Sequence, residues 1–280
     1  MTGTGYSGKV MDSMRYPRIT STANRHIKDA IQIMEKRTKL RHTAFLVEGP
    51  HLLEMAANRG IQISEVYVTN AFLSKKEHRL FLHRMDRIAG EIFEVSDQVM
   101  ARITDTGSPQ GITAVVSCRP VKPGELTLRY PSLIVVIDGI QDPGNLGTII
   151  RTADAAGADA VFLLPGTCDA FMPKVVRATA GSIFNIPVVS AEPDIFMAWL
   201  SEKKIVLAIT AADAEADIYS ADLSMPLAIT FGNEACGVSS LLRKAADRSL
   251  RIPIFGKAES LNVATSAGIC LYEIVRQRQR

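Results

Sequence analysis

The amino-acid sequence predicts an α/β protein made of two domains. Short apolar runs rich in β-branched residues alternate along the chain with segments of helical periodicity. The run at residues 133–137 is apolar throughout, which is typical of a strand buried on both faces of a parallel sheet. Between residues 119 and 124, two prolines and a glycine interrupt the pattern, as expected of a linker. We therefore predict one domain at residues 1–122 and a second at residues 123–280.

The first domain is predicted to be a compact α/β unit. Apolar residues at helical spacing predict helices near residues 24–36, 51–58, 75–88 and 97–103. In the first of these, Ile27, Ala30, Ile31 and Met34 fall on one face, and Gly60 is expected to end the second. The intervening apolar runs predict strands near residues 44–47, 63–68, 91–95 and 111–117.

The second domain is predicted to contain a parallel sheet. Its strands are expected near residues 133–138, 161–164, 186–189, 205–209, 227–231 and 250–254, with helices between most of them. Ligands of open α/β sheets bind outside the carboxyl ends of the strands. Polar residues that directly follow these strands are therefore the candidates for a functional site.

Composition and cysteine spacing are those of an ordinary soluble protein. Of the 280 residues, 47% are hydrophobic and 22% charged, yet no apolar run approaches the roughly 20 residues that span a bilayer. The N-terminal residues lack the apolar core of a signal peptide, so we expect a cytoplasmic protein and no membrane contact. The four cysteines show neither metal-ligand nor disulfide spacing and are expected to be buried thiols, with Cys236 the one near the site: Cys118, Cys168, Cys236 and Cys270.

The formal charge of +3 is unevenly distributed. Residues 1–125 contain 18 Lys and Arg against 13 Asp and Glu, and the rest of the chain is slightly acidic. The densest basic cluster comprises Lys36, Arg37, Lys39 and Arg41. Such a cluster is either a solvated helix face or a binding surface for a polyanion, because contacts of Lys and Arg with phosphates release counterions.

The segment from Asp142 to Gly157 places a glycine-rich turn between a predicted strand and a predicted helix. Leu146, Ile149, Ile150 and Ala153 would face inward, which leaves Asn145, Thr148 and Arg151 near the helix N-terminus on other faces. A tight structural connection is the alternative, because the two glycines form only a fragment of a dinucleotide fingerprint.

Two further strand ends carry polar residues. The run at 227–231 leads into Gly232, Asn233 and Glu234, and the run at 251–255 leads into a loop that contains Ser260 and Asn262 before the last helix. For Ser260 and Asn262, helix capping is the structural alternative to a catalytic role.

Together these segments resemble the TrmH/SpoU branch of the SPOUT superfamily, which comprises knotted RNA ribose 2′-O-methyltransferases. One departure is Ala235, which stands where the family usually has glycine and would be strained if the loop required a positive φ there. The resemblance covers the whole C-terminal half in order, and three motifs carry it: Asp142-Pro143-Gly144-Asn145-Leu146-Gly147 with Arg151; Phe231-Gly232-Asn233-Glu234; and Ile252-Pro253-Ile254 with Ser260-Leu261-Asn262-Val263-Ala264.

The resemblance implies a trefoil knot in the C-terminal domain, S-adenosylmethionine as the cofactor and RNA as the substrate. Arg151 would engage the target nucleotide, position its phosphate and help its 2′-hydroxyl to lose a proton. Because a free guanidinium stays protonated, we favour either an electrostatic role for it or a base assisted by the RNA phosphate. The implied catalytic residues are Asn145, Arg151, Glu234, Ser260 and Asn262. The implied cofactor-binding residues are Gly232, Ile252 and Leu261, with Thr210 as a further candidate at a neighbouring strand end.

The N-terminal domain is similar to the RNA-binding domain resembling ribosomal protein L30e that ribosomal-RNA members of the family carry. Lys39 and Arg41 before residues 45–49 support this similarity. Lys36, Arg37, Lys39 and Arg41 are therefore the RNA-binding candidates. Family resemblance also favours a homodimer, in which Asn145 and Arg151 of one protomer would face the Ser260 and Asn262 loop of the other. The last helix would offer a small-residue and apolar surface for this packing, with packing inside its own domain as the alternative.

Several reaction classes lack their usual signatures. All five histidines precede residue 84, so the C-terminal half has no imidazole base for Ser-His-Asp hydrolysis. It has no complete dinucleotide fingerprint, no phosphate-binding loop and no metal-ligand cluster, and we expect no metal. Methyl transfer requires less of the protein, because S-adenosylmethionine is already an activated donor.

Three hypotheses follow. The first is 2′-O-methylation of ribosomal RNA. We expect 23S ribosomal RNA as the substrate, with transfer RNA as the alternative. The second, a non-catalytic RNA-binding protein, is disfavoured because the five candidate catalytic residues are all present. The third, a nucleotide-dependent enzyme of small molecules, is disfavoured by the missing fingerprints and the basic N-terminus.

Overall fold

The computed structural model describes residues 16–35 and 43–279 and contains two β-sheets. The N-terminal elements are β1 (Arg18–Ile19), α1 (Arg25–Met34), β2 (Ala44–Glu48), α2 (Pro50–Asn58), β3 (Ile63–Thr69), α3 (Asn70–Leu73), α4 (Arg79–Ile88), β4 (Ala89–Val95), α5 (Asp97–Arg102) and β5 (Ile112–Ser117). The C-terminal elements are β6 (Leu133–Asp138), α6 (Pro143–Ala155), β7 (Ala160–Leu164), α7 (Pro173–Ala178), β8 (Val188–Ser190), α8 (Pro193–Lys203), β9 (Val206–Thr210), β10 (Ala216–Asp217), β11 (Leu227–Gly232), α9 (Ser240–Ala245), β12 (Arg248–Arg251) and α10 (Val263–Arg278).

The N-terminal sheet has five strands in the order β1-β4-β3-β5-β2. The β1–β4 and β3–β4 pairs are parallel, whereas β5 runs antiparallel to β2 and β3. Helix α1 begins at Asn24, whose side chain accepts a hydrogen bond from the backbone N–H of His26, and it buries Ile27, Ala30 and Ile33. This apolar stripe covers one face of the sheet, as the helical spacing predicts.

The C-terminal sheet has seven strands in the order β10-β12-β9-β11-β6-β7-β8, and all of its pairs are parallel. Every residue of β6 is buried. Helices α6, α7 and α10 cover one face, and α8 and α9 cover the other. The predicted α/β class with a parallel C-terminal sheet is confirmed.

The two sheets share one apolar core. Phe45 and Val47 of β2 belong to the same buried cluster as Val175 and Val176 of α7 and the apolar side of α6. All strands of the first sheet lie at or before Ser117, and all strands of the second lie at or after Leu133. Within the described residues, no helix is both long and apolar enough to cross a membrane.

Two differences from the sequence predictions concern the last strand and the last helix. The strand expected at 250–254 ends at Arg251, because Pro253 has no N–H to donate to a neighbouring strand. The small-residue surface expected on the last helix for dimer packing is used inside the chain: Ala264, Ala267, Leu271 and Ile274 of α10 are buried, and α10 packs against α6. Four of the five expected residues therefore pack inside their own chain, and the fifth, Gly268, is only partly buried.

Candidate active site

The first motif forms the start of α6 at the carboxyl end of β6. Asp142 caps the helix, because its Oδ1 accepts a hydrogen bond from the backbone N–H of Asn145 at 2.8 Å, and Pro143 occupies the first turn. Gly147 serves packing: a Cβ at this position would lie 2.5 Å from Cβ of Ala178, so α6 and α7 approach closely only with glycine here. The motif thus combines an exposed, capped helix start with a close helix contact.

The second motif forms a tight loop after β11. The side-chain oxygen of Asn233 accepts hydrogen bonds from the backbone N–H groups of Ala235 and Cys236, and its Nδ2 donates to the carbonyl of Gly139 at 2.8 Å. Ala235 does not have a positive φ, so the alanine is not strained; the left-handed residue of the loop is Gly237, with φ of 69°. The side chain of Asn233 therefore ties this loop to the turn after β6.

The three motifs meet through a chain of side-chain hydrogen bonds. Asn145 donates from Nδ2 to Oε1 of Glu234 at 2.9 Å, and its Oδ1 accepts from Nδ2 of Asn262 at 3.0 Å. The Oδ1 of Asn262 caps α10 by accepting from the backbone N–H groups of Ala264 and Thr265. Because a carboxylate only accepts hydrogen bonds, Glu234 fixes the orientation of the Asn145 amide.

These contacts correct one expectation about the dimer. The family resemblance implied that Asn145 of one protomer faces Asn262 of the other, but the two amides are bonded within one chain.

The ends of β6 and β11 are neighbours in the sheet, since Asp138 pairs with Gly232. The first two motifs, which follow these strands, therefore lie at the same edge of the sheet.

A cavity of about 540 Å³ lies beside this chain of hydrogen bonds. Gly232 leaves no room for a side chain, because a Cβ there would lie 2.2 Å from the carbonyl carbon of Gly237. Thr210, the last residue of β9, donates a hydrogen bond from Oγ1 to the backbone carbonyl of Thr230 in β11 at 2.8 Å. The cavity brings together seven of the nine predicted catalytic and cofactor residues: Thr210, Gly232, Glu234, Ile252, Ser260, Leu261 and Asn262.

Arg151 is placed differently from Asn145. It is exposed on α6, and its side chain makes no hydrogen bond or ion pair with another described residue. Six residues after Asn145, it is rotated by about 240° around the helix axis, at about 100° per residue. Asn145 therefore faces Glu234 and Asn262 of its own chain, and Arg151 points to another side of α6.

Three residues at the site were not predicted. Arg243 lines the cavity and pairs with Asp213, its Nη1 lying 3.2 Å from the carboxylate. Asp138 is buried at the end of β6 and accepts a hydrogen bond at 2.7 Å from the backbone N–H of Ser239. A charged residue that ends an apolar strand was the available signal for Asp138; the Arg243–Asp213 pair has no local signal in the sequence.

The predicted basic cluster and the cysteines differ in how the structure places them. Lys36, Arg37, Lys39 and Arg41 lie outside them. Cys236 lines the cavity and is exposed, whereas burial raises the pKa of the Cys270 thiol to about 12 and that of the Cys118 thiol to about 11. Among the described residues, one group is tight enough to hold a metal ion: His26, Glu65 and Glu91, which lie in the N-terminal domain away from this cavity.

Comparison with known proteins identifies the family of each domain. Residues 132–272 match the SpoU rRNA Methylase family, and residues 24–114 match the MRM3-like substrate binding domain. The chain is 36% identical to the 23S rRNA (guanosine(2553)-2′-O)-methyltransferase RlmP of Bacillus subtilis over 92% of this chain and 98% of the relative. It is 32% identical to the 23S rRNA (uridine(2479)-2′-O)-methyltransferase of Streptomyces viridochromogenes over 93% of this chain and 92% of the relative.

Solved structures agree over the same length. An AdoMet-bound rRNA methyltransferase from Sinorhizobium meliloti superposes with a TM-score of 0.83 and 31% identity, covering 93% of this chain and 98% of that chain. The SpoU methyltransferase AviRb from Streptomyces viridochromogenes, in complex with AdoMet, superposes with a TM-score of 0.84 and 28% identity, covering 91% of this chain and 98% of that chain. The protein belongs to the SpoU rRNA methylase family, with a substrate-binding domain at its N-terminus.

Proposed function

We propose that this protein transfers a methyl group from S-adenosylmethionine to the 2′-hydroxyl of a ribose in 23S ribosomal RNA. Relatives matched over nearly the whole chain are named as 23S rRNA 2′-O-methyltransferases, and two structural neighbours hold AdoMet. The observation that carries the proposal is the hydrogen-bonded chain of Glu234, Asn145 and Asn262 beside the cavity. These hydrogen bonds order three polar side chains at the edge of the sheet where an acceptor hydroxyl and a cofactor can meet.

The cavity suits the cofactor in size and in chemistry. Its volume of about 540 Å³ falls in the range of roughly 300–1,000 Å³ typical of small-molecule sites. Apolar side chains of Leu250, Ile252 and Leu261 line it together with the backbone of the loop from Gly232 to Gly237. S-adenosylmethionine supplies a methyl group on a sulfonium, so the protein has to hold the donor and align the acceptor.

Within this proposal, the residues of the chain have distinct tasks. Gly232, Ile252 and Leu261 hold the adenosyl part, and Thr210 closes the neighbouring strand edge. Glu234 fixes Asn145, and Asn145 and Asn262 orient the acceptor ribose together with Ser260. Arg151 would bind the target phosphate and stabilise the negative charge that develops on the 2′-oxygen, whose proton would pass to solvent as the oxygen accepts the methyl group.

We propose that the working unit is a homodimer in which Arg151 serves the cavity of the partner. Arg151 is exposed and lies on a different side of α6 from Asn145. Next to the cavity, Phe255 is 95% exposed and does not line it. Apolar side chains exposed at the rim of a site are typical of a protein interface.

RNA binding is assigned to the N-terminal domain, which matches a substrate-binding domain. Lys36, Arg37, Lys39 and Arg41 are proposed as its phosphate contacts, since this part of the sequence carries the basic excess. Because the proposed substrate is ribosomal RNA, a cytoplasmic location is part of the same proposal. No metal is required by the proposed chemistry.

Incubation with labelled S-adenosylmethionine tests this function. Total RNA, purified 23S rRNA and purified tRNA should be offered separately, and the product should be mapped by nuclease digestion. We expect label in 23S rRNA at a single 2′-O-methylated nucleotide and none in tRNA. Label in tRNA alone would reassign the substrate, and the absence of transfer to any RNA would overturn the proposal.

A further inference from the structure

An arginine of the C-terminal domain is bound by two carboxylates of the N-terminal domain. Arg177 of α7 pairs through Nη1 with Asp105 and lies 3.7 Å from Oε2 of Glu48. Asp105 follows α5, and Glu48 is the last residue of β2. The side chain of Arg177 is 26% exposed, and that of Glu48 is 5% exposed. Glu48 is therefore buried, whereas Arg177 and Asp105, at 26% and 36% exposed, lie at the edge of the contact between the two domains.

Hydrogen bonds within the N-terminal domain fix the side chain of Glu48. Its Oε1 accepts hydrogen bonds from Oγ1 of Thr106 at 2.8 Å and from the backbone N–H of Gln110 at 3.1 Å. The loop between α5 and β5 thus supplies Asp105, Thr106 and Gln110 to one cluster. Arg177 adds a cation beside this carboxylate and donates a hydrogen bond to Asp105, so two carboxylates of the N-terminal domain hold it.

Arg177 is followed directly by the residue that contacts α6. A Cβ at Gly147 would lie 2.5 Å from Cβ of Ala178 and 2.7 Å from the carbonyl oxygen of Val175. Helices α6 and α7 are therefore in direct, close-packed contact at this point. Gly147 lies two residues after Asn145 and four residues before Arg151. Close-packed interiors transmit displacements, so α7 sets the position of the part of α6 that carries both residues.

We propose that Arg177 is a positioning residue, which couples the N-terminal RNA-binding domain to α6 and thereby aligns the bound ribose with Asn145 and Arg151. The proposal rests on the function proposed above for these two residues. RNA held by the N-terminal domain reaches the site in correct register only when this domain and α6 have a fixed relative position. Displacements of about 1 Å far from the reacting atoms can cost up to about 100-fold in rate.

Two mild substitutions test the coupling in the full-length protein. Arg177→Lys keeps the positive charge but replaces the planar guanidinium, whose Nη1 contacts both carboxylates, and Asp105→Asn removes one of the two negative charges. For both variants we expect kcat at saturating RNA to fall about tenfold, with the Kd values for RNA and for S-adenosylmethionine changed less than twofold. Asp105→Glu, which restores the charge, should recover at least half of the wild-type kcat.

Arg276→Lys is the matched control. Arg276 also binds a buried carboxylate, with Nε 2.8 Å from Oε2 of Glu273, but it does so within α10. It lies 14 residues after Asn262, or about 20 Å along the helix. This variant should lower Tm and leave kcat unchanged when all proteins are assayed well below their unfolding temperatures.

Hydrogen exchange of α6 gives a readout that needs neither RNA nor turnover. Faster exchange of residues 143–155 is expected in Arg177→Lys and Asp105→Asn and not in Arg276→Lys. Unchanged exchange together with unchanged kcat, an equal loss of kcat in the control, or a raised Kd for RNA at normal kcat would each overturn the coupling. A wild-type protein that methylates no RNA would overturn the proposed function, and the exchange experiment would still decide the coupling.

Discussion

Asn262 donates a hydrogen bond from Nδ2 to Oδ1 of Asn145 over 3.0 Å while its own Oδ1 caps the last helix. One side chain thus starts α10 and orients an amide that begins α6. Stability and alignment of the site therefore depend on different atoms of the same residue: the oxygen caps the helix, and the nitrogen holds Asn145.

Asn262→Asp should separate these two tasks. A carboxylate still accepts from the N–H groups of Ala264 and Thr265, so Tm should stay close to that of the wild type. It cannot donate to Asn145, and it places a second negative charge near Glu234, so kcat should fall at least tenfold. Asn262→Ala should lose the same activity and, in addition, about 1 kcal/mol of stability. Thermal unfolding and single-turnover methylation measure the two effects.

Asn24→Asp is the control for this experiment. Asn24 caps α1 in the same way, by accepting from the N–H of His26 at 2.9 Å, and it does not line the cavity. The substitution should leave both Tm and kcat close to wild type. Full activity of Asn262→Asp would show that its hydrogen bond to Asn145 is not needed for catalysis.

Arg151→Ala should abolish methyl transfer without unfolding the protein. Arg151 is exposed and unpaired among the described residues, so its loss should change the free energy of unfolding by less than about 0.5 kcal/mol. Turnover should fall at least 100-fold at saturating RNA, with unchanged affinity for S-adenosylmethionine. Arg87→Ala removes another exposed helical arginine and should keep its kcat. Near-normal turnover of Arg151→Ala would refute the proposed role.

Gly232→Ala should destroy cofactor binding. The new Cβ would lie 2.2 Å from the carbonyl carbon of Gly237 and 2.3 Å from the amide nitrogen of Val238, so the loop that lines the cavity has to move. We expect a loss of about 1–3 kcal/mol in stability and no measurable S-adenosylmethionine binding by calorimetry. Gly256→Ala is the control, because its Cβ would meet nothing within 4 Å. Normal cofactor affinity of Gly232→Ala would exclude this cavity.

The sequence predicted which residues meet in the site better than it predicted how they meet. Polar residues after β6 and β11 share one edge of a parallel sheet, and this rule correctly places Asn145 near Glu234. It does not specify whether Asn262 reaches Asn145 from the same chain, because loop paths are set by tertiary packing. The trefoil knot stays a prediction, since periodicity contains no information on threading.

Contacts between residues distant in sequence were beyond prediction. Arg177 belongs to a helix whose position the sequence did not specify, and its carboxylate partners lie in another domain. Nothing in the local sequence around Arg177, Glu48 or Asp105 indicates their pairing. By contrast, α1 and β6 were predicted nearly to the residue, because their periodicity and apolar content are local properties.

Removal of the basic cluster should weaken RNA binding in a salt-dependent way. Replacing Lys36, Arg37, Lys39 and Arg41 by alanine should lower RNA affinity and reduce the slope of log K against log salt by about 0.7–0.9 for each phosphate that the variant no longer neutralises. The control Lys75→Ala with Lys76→Ala removes two exposed cations of the same domain and should change the slope less. An unchanged slope in the quadruple variant would locate the RNA-binding surface elsewhere.

Mixing inactive variants should reveal sites shared between protomers. If Arg151 serves the cavity of the partner, a heterodimer of Arg151→Ala and Asn262→Ala contains one site with both groups intact. A mixture of the two should therefore regain activity once subunits have exchanged. When equal amounts of the two variants exchange subunits completely, half of the dimers are heterodimers. Each heterodimer contains one site with both groups intact.

A second mixture tests the geometry of the site itself. Asn145 and Asn262 are bonded within one chain, so a heterodimer of Asn145→Ala and Asn262→Ala has one broken amide pair in each cavity and should stay inactive. Recovery in this mixture would mean that the two amides act across the interface in the working enzyme. If the first mixture stays inactive despite proven exchange, or if the active enzyme sediments as a monomer, Arg151 acts within its own chain and the shared-site proposal is wrong.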